Sequence, residues 1–460
     1  MINSSKFRWS LKALRSFQFS DTMIDKSELG DVAKSVLKRF EEVKVDPSWS
    51  FAECGRKETN KWTHGYHRYP AKFIPQIPER LFDEYITEDE VHINDPFYGS
   101  GTTIVSAIAR GYRASGTDIN GIAHLMTKVK ATPIEPSYIE ERVEKFLRSI
   151  EQEKDVEAEI PQRHMERIDY WFHEDTKKEL GMILRIIRNE SDELVRNFLL
   201  VGFSHILKSC SIWLQRSTKP TRDKQKEPRN PYTALKLHLN KMLKGNNSFY
   251  KKAPSDVKSS PRDYLNIALG DARNQPVGEG SVDLIITSSP YVTSYEYADL
   301  HQLSTIWLDF TENLKHYRSE FIGSTSRPKI RQILRSEIAN EIILELTDKS
   351  EKLSQEITSF FLDMEQTFEE SYRILRSGGI CSFVIGNTFL KGVDIFNAQV
   401  FAESIQYSGF TLDKIIKREI PSKILPQTRD IETGRFASSS EATSVVYPIE
   451  YIVIGKKCGI

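Results

Sequence analysis

The sequence predicts an α/β protein with a doubly wound, parallel sheet that is interrupted by helical insertions. Two observations indicate this fold class. Short apolar runs typical of buried strands alternate with helical patterns near the start and again in the last part of the chain, and such alternation is characteristic of parallel sheets. Between these two parts, apolar residues recur at helical spacing. The 460 residues allow two or three domains, and the chain contains no internal repeat.

The first part of the chain predicts a polar extension followed by a strand–helix–strand unit. Residues 1–60 form the extension, and residues 61–132 form the first segment of the sheet domain. A short strand at 91–93 leads through a turn into a helix from Thr102 to about Arg110. A second strand at 114–118 completes the unit.

Residues 133–262 predict a helical insertion that ends in a basic stretch. Its apolar residues recur at helical spacing in two groups, Leu180, Ile183, Leu184 and Ile187, and then Leu194, Phe198, Leu199, Val201 and Ile206. Arg216–Arg262 contains thirteen Lys and Arg residues against three acids. Clustered cations attract phosphate backbones, because each neutralised phosphate releases a counterion. A solvated linker has the same charge pattern, so charge alone leaves both interpretations open.

The strand signals resume in residues 263–460, which form the second segment of the same sheet domain. Apolar runs predict strands at 265–269, 282–286, 380–385 and 451–455, with a helix near 400–407. A helix-rich piece at about 300–370 forms a further insertion within this segment. The chain therefore contains one sheet domain whose two segments are separated by the helical insertion.

Composition excludes several classes of protein. Hydrophobic residues make up 39% and charged residues 28%, which is ordinary for a globular chain and unlike a disordered or collagen-like one. No apolar run approaches the roughly 18 residues of a membrane helix, and charges interrupt the N-terminus too often for a secretory signal. The four cysteines are scattered without a CxxC pair, so we expect no disulfide framework, no metal site and a cytoplasmic location.

The first chemical motif is a glycine-rich turn between the first predicted strand and its helix. It reads Asn-Asp-Pro-Phe-Tyr-Gly-Ser-Gly-Thr-Thr over residues 94–103. Glycines let the backbone approach a ligand closely, and the helix start that follows offers free N–H groups. The turn lacks the third glycine of the dinucleotide fingerprint and the lysine of a P-loop. It resembles closely the DPFxGSGTT motif of amino-methyltransferases that use S-adenosylmethionine, in which this loop packs against the methionine part of the cofactor.

Two acids follow the predicted strands that neighbour this turn. Asp118 ends the second strand, 17 residues after Gly101, where a carboxylate accepts hydrogen bonds from ribose hydroxyls in dinucleotide-binding folds. Alone, such an acid is more often a helix cap, but together with the glycine turn it favours ribose binding. Asp271, after the next strand, is in the same way a candidate acceptor for the adenine amino group, with a simple Gly-Asp turn as the alternative.

A second chemical motif, Ser288-Ser289-Pro290-Tyr291, follows the apolar strand at 282–286. It resembles the (D/N/S)PP(Y/F/W) motif of methyltransferases that act on exocyclic amino nitrogens, although a serine replaces the first proline. An aromatic amine is a weak nucleophile because its lone pair delocalises into the ring. The resemblance implies that Ser288 Oγ and the Ser289 carbonyl accept the two N–H bonds and turn the lone pair toward the methyl group. Pro290 stiffens the turn, and Tyr291 stacks on a base swung out of the duplex.

Two further segments carry the resemblance. Tyr69–Pro75 resembles the segment that closes over the methionine end of the cofactor, and Lys72 is the candidate partner of the cofactor carboxylate. Arg373–Gly379 resembles a turn before the fifth strand of many methyltransferases, which is a structural feature.

Residues 62–130 and 263–460 together resemble the DNA amino-methyltransferases, which form N4-methylcytosine or N6-methyladenine, chiefly in restriction–modification systems. The resemblance implies a Rossmann-like, S-adenosylmethionine-dependent methyltransferase sheet, double-stranded DNA as substrate and a cognate restriction endonuclease as candidate partner. The basic insertion separates the two motifs and is the candidate target-recognition region. The implied cofactor-binding residues are Lys72, Asp95, Pro96, Phe97, Gly99, Ser100, Gly101, Thr102, Asp118 and Asp271, and the implied catalytic residues are Ser288, Ser289, Pro290 and Tyr291.

The second motif also bears on the identity of the methylated atom. Methylation of cytosine C5 is excluded, because that reaction needs a nucleophilic cysteine, usually after proline, and the chain has no Pro-Cys pair. Ser288 favours cytosine N4, since adenine-N6 enzymes more often carry Asp or Asn at this position. Three alternatives stay open: an adenine-N6 DNA methyltransferase, a guanine-N2 methyltransferase of transfer RNA, and a non-catalytic binding protein built on the same fold.

Overall fold

A seven-stranded sheet forms the centre of the molecule. The computed structural model describes residues 29–69, 72–152, 156–215, 217, 219–292, 297–421, 428–429, 444–445 and 449–459. The strands are β1 (His92–Asp95), β2 (Arg113–Asp118), β3 (Leu265–Leu269), β4 (Val282–Ser288), β5 (Leu375–Ile385), β6 (Phe410–Glu419) and β7 (Ile449–Lys457). Their order across the sheet is β3-β2-β1-β4-β5-β7-β6.

Strand β7 runs against the direction of its neighbours. The β1–β2, β1–β4, β2–β3 and β4–β5 pairs are parallel, whereas β7 pairs antiparallel with both β5 and β6. Ile449 lies opposite Glu419, so β7 starts at the edge where β6 ends and runs back across the sheet. The prediction of a wholly parallel sheet is therefore wrong at this strand, while the Rossmann-like α/β class is confirmed.

Strand β6 has no counterpart among the predicted strands. It carries Asp413, Lys414 and Lys417 between its apolar residues, and it lies at an edge of the sheet, where only Val45 adds a single bridge among the described residues. Charged side chains on an edge strand prevent it from pairing with other chains. The same charges interrupt the apolar run by which a buried strand is recognised in a sequence.

Helices cover the sheet and build the insertions. In chain order they are α1 (Asp31–Glu42), α2 (Arg56–Thr59), α3 (Gln76–Tyr85), α4 (Thr102–Arg110), α5 (Gly121–Ala131), α6 (Pro136–Gln152), α7 (Met165–Trp171), α8 (Glu174–Arg188), α9 (Glu193–Cys210), α10 (Pro231–Lys252), α11 (Ser255–Ser259), α12 (Pro261–Tyr264), α13 (Tyr297–Leu300), α14 (Gln302–Leu308), α15 (Leu314–Glu320), α16 (Glu337–Lys349), α17 (Glu351–Ile374) and α18 (Asn397–Tyr407). Single helical turns at Pro47–Trp49 and Gln162–His164, a hairpin of Thr388–Leu390 with Val393–Ile395 and a two-residue ladder of Thr428–Arg429 with Ser444–Val445 complete the structure.

The two faces of the sheet are covered by different helices. Helices α1, α16, α17 and α18 pack on one face, where Phe360, Phe368 and Phe401 are buried against β5. Helices α3 and α4 cover the other face, where Phe82 and Ile104 pack against β1 and β4. Burial of these apolar side chains is the main favourable contribution to folding.

Helices α6 to α10 have an apolar core of their own. Side chains from all five helices pack together and also contact Met126 of α5 and Trp307 of α14. The helical segment at 133–262 is therefore attached to the sheet by apolar contacts with two helices that follow strand ends. Among the described residues, no helix is long and apolar enough to cross a membrane.

Four strands end at one edge of the sheet, and each end leads into a predicted motif. Strand β1 leads into the glycine turn, β2 ends at Asp118, Asp271 follows β3, and β4 ends at Ser288. Ligands of doubly wound sheets bind beyond the carboxyl ends of the strands. The topology thus brings together motifs that are far apart in the sequence.

Candidate active site

A cavity of about 790 Å³, counted to its open mouth, lies at the carboxyl edge of the sheet. The predicted residues that line it are Lys72, Pro96, Phe97, Gly99, Ser100, Thr102, Asp118, Asp271, Ser288 and Pro290. The other four, Asp95, Gly101, Ser289 and Tyr291, are not on its wall, but each adjoins in sequence a residue that is. Residues of the glycine turn and of the second motif therefore share one cavity.

The glycine turn has a backbone that only glycine adopts without strain. Gly99 and Gly101 have φ angles of 48° and 75°. A Cβ on Gly101 would lie 2.7 Å from Thr127 Oγ1, and one on Gly99 would lie 3.1 Å from the Tyr69 ring. Thr127 Oγ1 donates a hydrogen bond to the Gly99 carbonyl at 3.1 Å. The absence of a side chain at Gly101 thus lets the turn pack against Thr127. The absence of one at Gly99 leaves room beside the Tyr69 ring in the cavity.

Asp118 connects the glycine turn to the end of β2. Its two carboxylate oxygens accept hydrogen bonds from the N–H groups of Gly99 at 2.8 Å and Asn120 at 2.9 Å. Burial raises the pKa of Asp118 to about 6, against the effect of these two N–H donors. Each oxygen keeps a further lone pair, so the carboxylate is held rigidly on the wall as an acceptor.

Asp95 supports the turn from behind the cavity wall. It is fully buried, and Oδ1 accepts a hydrogen bond from the Phe97 N–H at 3.1 Å. Burial raises the pKa of its carboxyl group to about 7. Its position indicates that Asp95 shapes the Pro96–Phe97 turn, whereas the predicted direct contact with a cofactor is not visible on the cavity wall.

Asp271 is held by an arginine that sequence reasoning missed. Arg273 donates to both of its carboxylate oxygens, at 3.0 Å to Oδ1 and 2.5 Å to Oδ2. Arg273 also bonds the buried Asp363, which a second arginine, Arg327, contacts at 2.6 Å. Burial raises the pKa of Asp271, but the hydrogen bonds from Arg273 outweigh it, and the pKa is lowered overall. Asp271 is therefore a charged acceptor on the cavity wall.

A half-buried lysine, Lys72, and a fully buried one, Lys130, lie at the opposite end of the glycine turn. Lys72 Nζ donates to the His64 carbonyl at 3.0 Å and to Asn60 Oδ1 at 3.2 Å, and burial lowers its pKa to about 8. The fully buried Lys130 donates to the Ser100 carbonyl at 2.8 Å. The sequence pointed to Lys72 but not to Lys130, which sits in an ordinary helical pattern. Pro70 and Ala71, in the segment before Lys72, lie outside the described residues.

Ser288 and Ser289 differ sharply in environment. Ser288 is the last residue of β4 and lies on the cavity wall. Ser289 is buried, and its N–H donates to the Val384 carbonyl at 3.3 Å. A proline at this position could not make that bond. Serine in place of the usual proline thus ties the start of the motif to β5.

Tyr291 is fixed by contacts from strand β7. Its hydroxyl donates to Glu450 Oε1 at 2.8 Å, and Arg418 holds the other oxygen of Glu450 at 2.6 Å. The Tyr291 ring passes Gly386 so closely that a Cβ there would lie 3.4 Å from the ring. The ring is therefore held beside Pro290, next to the cavity.

Aromatic side chains form a further wall of the cavity. The Tyr69 ring stacks on Tyr297 with 5.8 Å between ring centres, and the His301 ring lies 4.9 Å from Tyr69. Tyr69 and Tyr297 both line the cavity. Tyr297 lies in α13, after the second motif, and no spacing or motif in the sequence marks it.

The residues of the cavity fit S-adenosylmethionine. Its ribose and adenine need hydrogen-bond acceptors, which Asp118 and Asp271 offer on the wall. Its carboxylate needs cations or free N–H groups, which Lys72 and the start of α4 offer at the other end. Between them, the two glycines leave a backbone cradle that a Cβ would fill. Among the described residues, no three His, Cys, Asp or Glu side chains converge as metal ligands do.

Comparisons with known proteins agree with this arrangement. The family model described as DNA methylase matches residues 5–128. The type II methyltransferase M.MvaI of Kocuria varians is 25% identical over 409 residues, covering 83% of this chain and 89% of its own. M.BsoBI of Geobacillus stearothermophilus is 22% identical over 78% of this chain and 81% of its own. M.MjaII of Methanocaldococcus jannaschii is 38% identical over 87 residues, covering 19% of this chain and 16% of its own.

The chain is therefore similar to type II DNA methyltransferases over about four fifths of its length, and its first part matches the DNA methylase model. These matches support the predicted DNA amino-methyltransferase family, whose cofactor is S-adenosyl-L-methionine. A solved S-adenosylmethionine-dependent methyltransferase of Methanosarcina mazei aligns over 85% of this chain and 99% of its own at 8% identity, with a TM-score of 0.29. The fold assignment therefore rests on the strand order and not on that alignment.

Proposed function

We propose that this DNA amino-methyltransferase transfers the methyl group of S-adenosylmethionine to N4 of cytosine at a specific site in double-stranded DNA. The observation that carries the proposal is that Ser288 and Pro290 share one cavity with Gly99 and Asp118. The wall for the methyl donor thus adjoins the wall for the acceptor amine. A serine at position 288, where adenine-specific enzymes more often carry Asp or Asn, supports cytosine as the target.

The acceptor side of the cavity would activate the amine by orienting it. Ser288 Oγ and the Ser289 carbonyl accept its two N–H bonds, which turns the nitrogen lone pair away from the base ring. Ser289 is suited to this task because its N–H is tied to Val384 of the neighbouring strand, which fixes its peptide group. Pro290 and the Tyr291 ring, held by Glu450, would confine the extruded base.

The donor side would hold the cofactor so that its methyl group faces the amine. S-adenosylmethionine supplies an electrophilic methyl carbon on a positively charged sulfur. Asp118 accepts hydrogen bonds from the ribose, Asp271 accepts from the adenine amino group, and Lys72 binds the carboxylate. The residues contribute mainly by positioning, which can supply several kcal/mol toward a two-reactant barrier.

We assign target recognition to residues 133–262 and a protective role in a restriction–modification system to the whole chain. The helical segment has its own apolar core and contacts α5 and α14, which follow strand ends at the cavity edge. The similarity to type II methyltransferases over about four fifths of the chain supports the biological role, with a cognate endonuclease as partner.

The product of the reaction tests this proposal most sharply. Unmethylated DNA is incubated with the enzyme and cofactor, digested to nucleosides and analysed by mass spectrometry, with Ser288→Ala as the matched control. We expect N4-methylcytosine from the wild type and much less from the variant. N6-methyladenine would instead establish an adenine-N6 enzyme, and methyl transfer to transfer RNA but not to DNA would overturn the proposal.

A further inference from the structure

A band of cations and aromatic rings lies beside the cavity on the side of the helical segment. We call it the basic rim, and it consists of Arg68, Arg167, Tyr170, Lys208, Arg222 and Lys226. Tyr170 is an exposed aromatic residue, with 43% of its surface accessible. The guanidinium carbons of Arg222 and Arg167 lie 4.3 Å and 5.5 Å from the centre of its ring. Two cations thus lie close to one exposed aromatic ring.

The rest of the basic rim continues from Tyr170 through stacked rings. Trp171 stacks on Trp213 with 5.0 Å between ring centres, and Lys208 Nζ lies 5.1 Å from the Trp213 ring. Lys226 Nζ donates to the carbonyls of Lys208 and Trp213, each at 2.8 Å. The two buried tryptophans therefore form a rigid base under the cations.

Both ends of the basic rim adjoin the aromatic wall of the cavity. Arg68 directly precedes Tyr69, which lines the cavity. At the other end, Arg167 donates to Gln302 Oε1 at 2.6 Å, and Gln302 begins the helix that follows Tyr297. Since Tyr69 stacks on Tyr297, both ends of the basic rim lie next to the aromatic wall of the cavity.

The cations of the basic rim lack acidic partners. Among the described residues, none of the five has a carboxylate oxygen within 4.0 Å. Burial, together with the nearby charge of Arg68, lowers the pKa of Lys208 to about 8. Cations crowded without counter-charges attract a polyanion.

We propose that the basic rim holds the sugar–phosphate backbone of double-stranded DNA beside the extruded base, and that Tyr170 stacks on a nucleotide there. The proposal rests on the proposed function, because it names the residues that hold the DNA while a base enters the cavity. The proposal also differs from the sequence-based hypothesis that the stretch Arg216–Arg262 contacts DNA. The first residue of that stretch, Arg216, lies outside the described residues. Arg68, Arg167, Tyr170 and Lys208 lie outside that stretch.

The other cationic end of the helical segment offers a matched control. Lys251 and Lys252 end α10, and Pro254 follows them against Gly111, where a Cβ would lie 3.1 Å from the proline ring. Gly111 comes just before β2 starts, so this region lies at the amino edge of the sheet, away from the cavity. Replacing Lys251, Lys252 and Lys258 removes as many charges as replacing three arginines of the basic rim.

The salt dependence of DNA affinity tests the proposal. Fluorescence anisotropy measures binding of a mixed-sequence DNA duplex at KCl concentrations from about 50 to 200 mM, where phosphate contacts dominate. The triple variant Arg68→Gln, Arg167→Gln, Arg222→Gln should lower the slope of log affinity against log salt by about 0.9 for each lost contact. The triple variant Lys251→Gln, Lys252→Gln, Lys258→Gln should keep the wild-type slope.

Tyr170 has a separate signature in the same assay. Tyr170→Ala should weaken binding about tenfold without changing the slope, because stacking releases no counterion, and Tyr170→Phe should bind as the wild type does. Calorimetry of S-adenosylmethionine binding reports whether each variant is folded, and single arginine replacements repeat the test if the triple variant is not.

Three results would overturn the proposal. They are an unchanged slope in the arginine variant, an equal change of slope in the lysine variant, and tighter binding of duplex RNA through the same residues. Product analysis of the wild type reports the reaction independently. If the protein binds DNA through the basic rim but forms no methylated nucleoside, the DNA-binding surface is supported and the proposed function is contradicted.

Discussion

At the scale of single residues, much of the site depends on side chains that hold other groups. Glu450 fixes the Tyr291 hydroxyl, and Arg418 in turn fixes Glu450. Arg273 does the same for Asp271. The sequence identified Tyr291 and Asp271 through their motifs, but it carried no signal for Glu450, which is 159 residues away from Tyr291. Partners of this kind become visible only when strands are placed side by side.

Replacing Tyr291 should separate base binding from cofactor binding. Tyr291→Ala removes stacking worth roughly 1–3 kcal/mol per base, so methyl transfer should fall by about tenfold. Cofactor affinity measured by calorimetry should stay at the wild-type value, since Tyr291 belongs to the motif on the acceptor side of the cavity. Tyr291→Phe, which keeps the ring and loses only the bond to Glu450, is the matched control and should lose less activity. Equal losses of cofactor affinity and transfer in Tyr291→Ala would show a purely structural role.

At the scale of elements, the sequence predicted the strands around the site well, because each is a short apolar run next to a turn. The departures have physical causes. Strand β6 is charged because it lies at the sheet edge, and the direction of β7 depends on its pairing with β5 and β6, which no local pattern encodes. The glycine turn was recognised because its backbone demands glycine at fixed positions.

The need for glycine at position 101 of this turn can be tested through cofactor binding. Gly101→Ala should weaken S-adenosylmethionine binding by tenfold or more, because the new methyl group would lie 2.7 Å from Thr127 Oγ1 and would displace the turn. Gly280→Ala is the control, since Gly280 has a similar φ of 61° but nothing within 4 Å of an added Cβ. Calorimetry measures both variants. Equal affinities would show that the turn does not shape the cofactor site.

At the scale of the whole molecule, buried histidines join the helical segment to the sheet domain. The His205 and His238 rings of α9 and α10 stack with 3.6 Å between centres, and His67 meets His205 edge-on at 5.4 Å. His238 bonds the Tyr66 carbonyl at 2.7 Å, and His67 bonds Ser204 at 2.9 Å. The sequence showed these histidines as isolated residues, since they come from separate segments.

This cluster predicts a specific loss of stability in acid. Burial lowers the pKa of His238 to about 4, whereas an unfolded histidine binds its proton near 6.5. Between these values only the unfolded state binds that proton, so each unit of falling pH lowers the free energy of unfolding by up to about 1.4 kcal/mol. Asp95 and Asp118 act in the opposite sense, because their raised pKa values let the folded state bind protons first.

A variant isolates the histidine contribution from that of the acids. Urea unfolding between pH 7 and pH 5 should show a shallower loss of stability for His238→Gln than for the wild type, with a difference of about 1 kcal/mol per pH unit. His316→Gln, at a side chain that is 74% exposed, serves as the control and should follow the wild type. Parallel curves for the wild type and His238→Gln would contradict a neutral, buried His238.

Transfer of a tritiated methyl group from S-adenosylmethionine to DNA tests the central claim, that one cavity holds a donor wall and an acceptor wall. The wild type should label DNA. Ser288→Ala should bind the cofactor normally and label DNA at least about tenfold more slowly, whereas Asp118→Ala should lose roughly 1–3 kcal/mol of cofactor binding in calorimetry. A wild type that binds the cofactor but labels no DNA, or an equal loss of cofactor affinity in both variants, would contradict the claim.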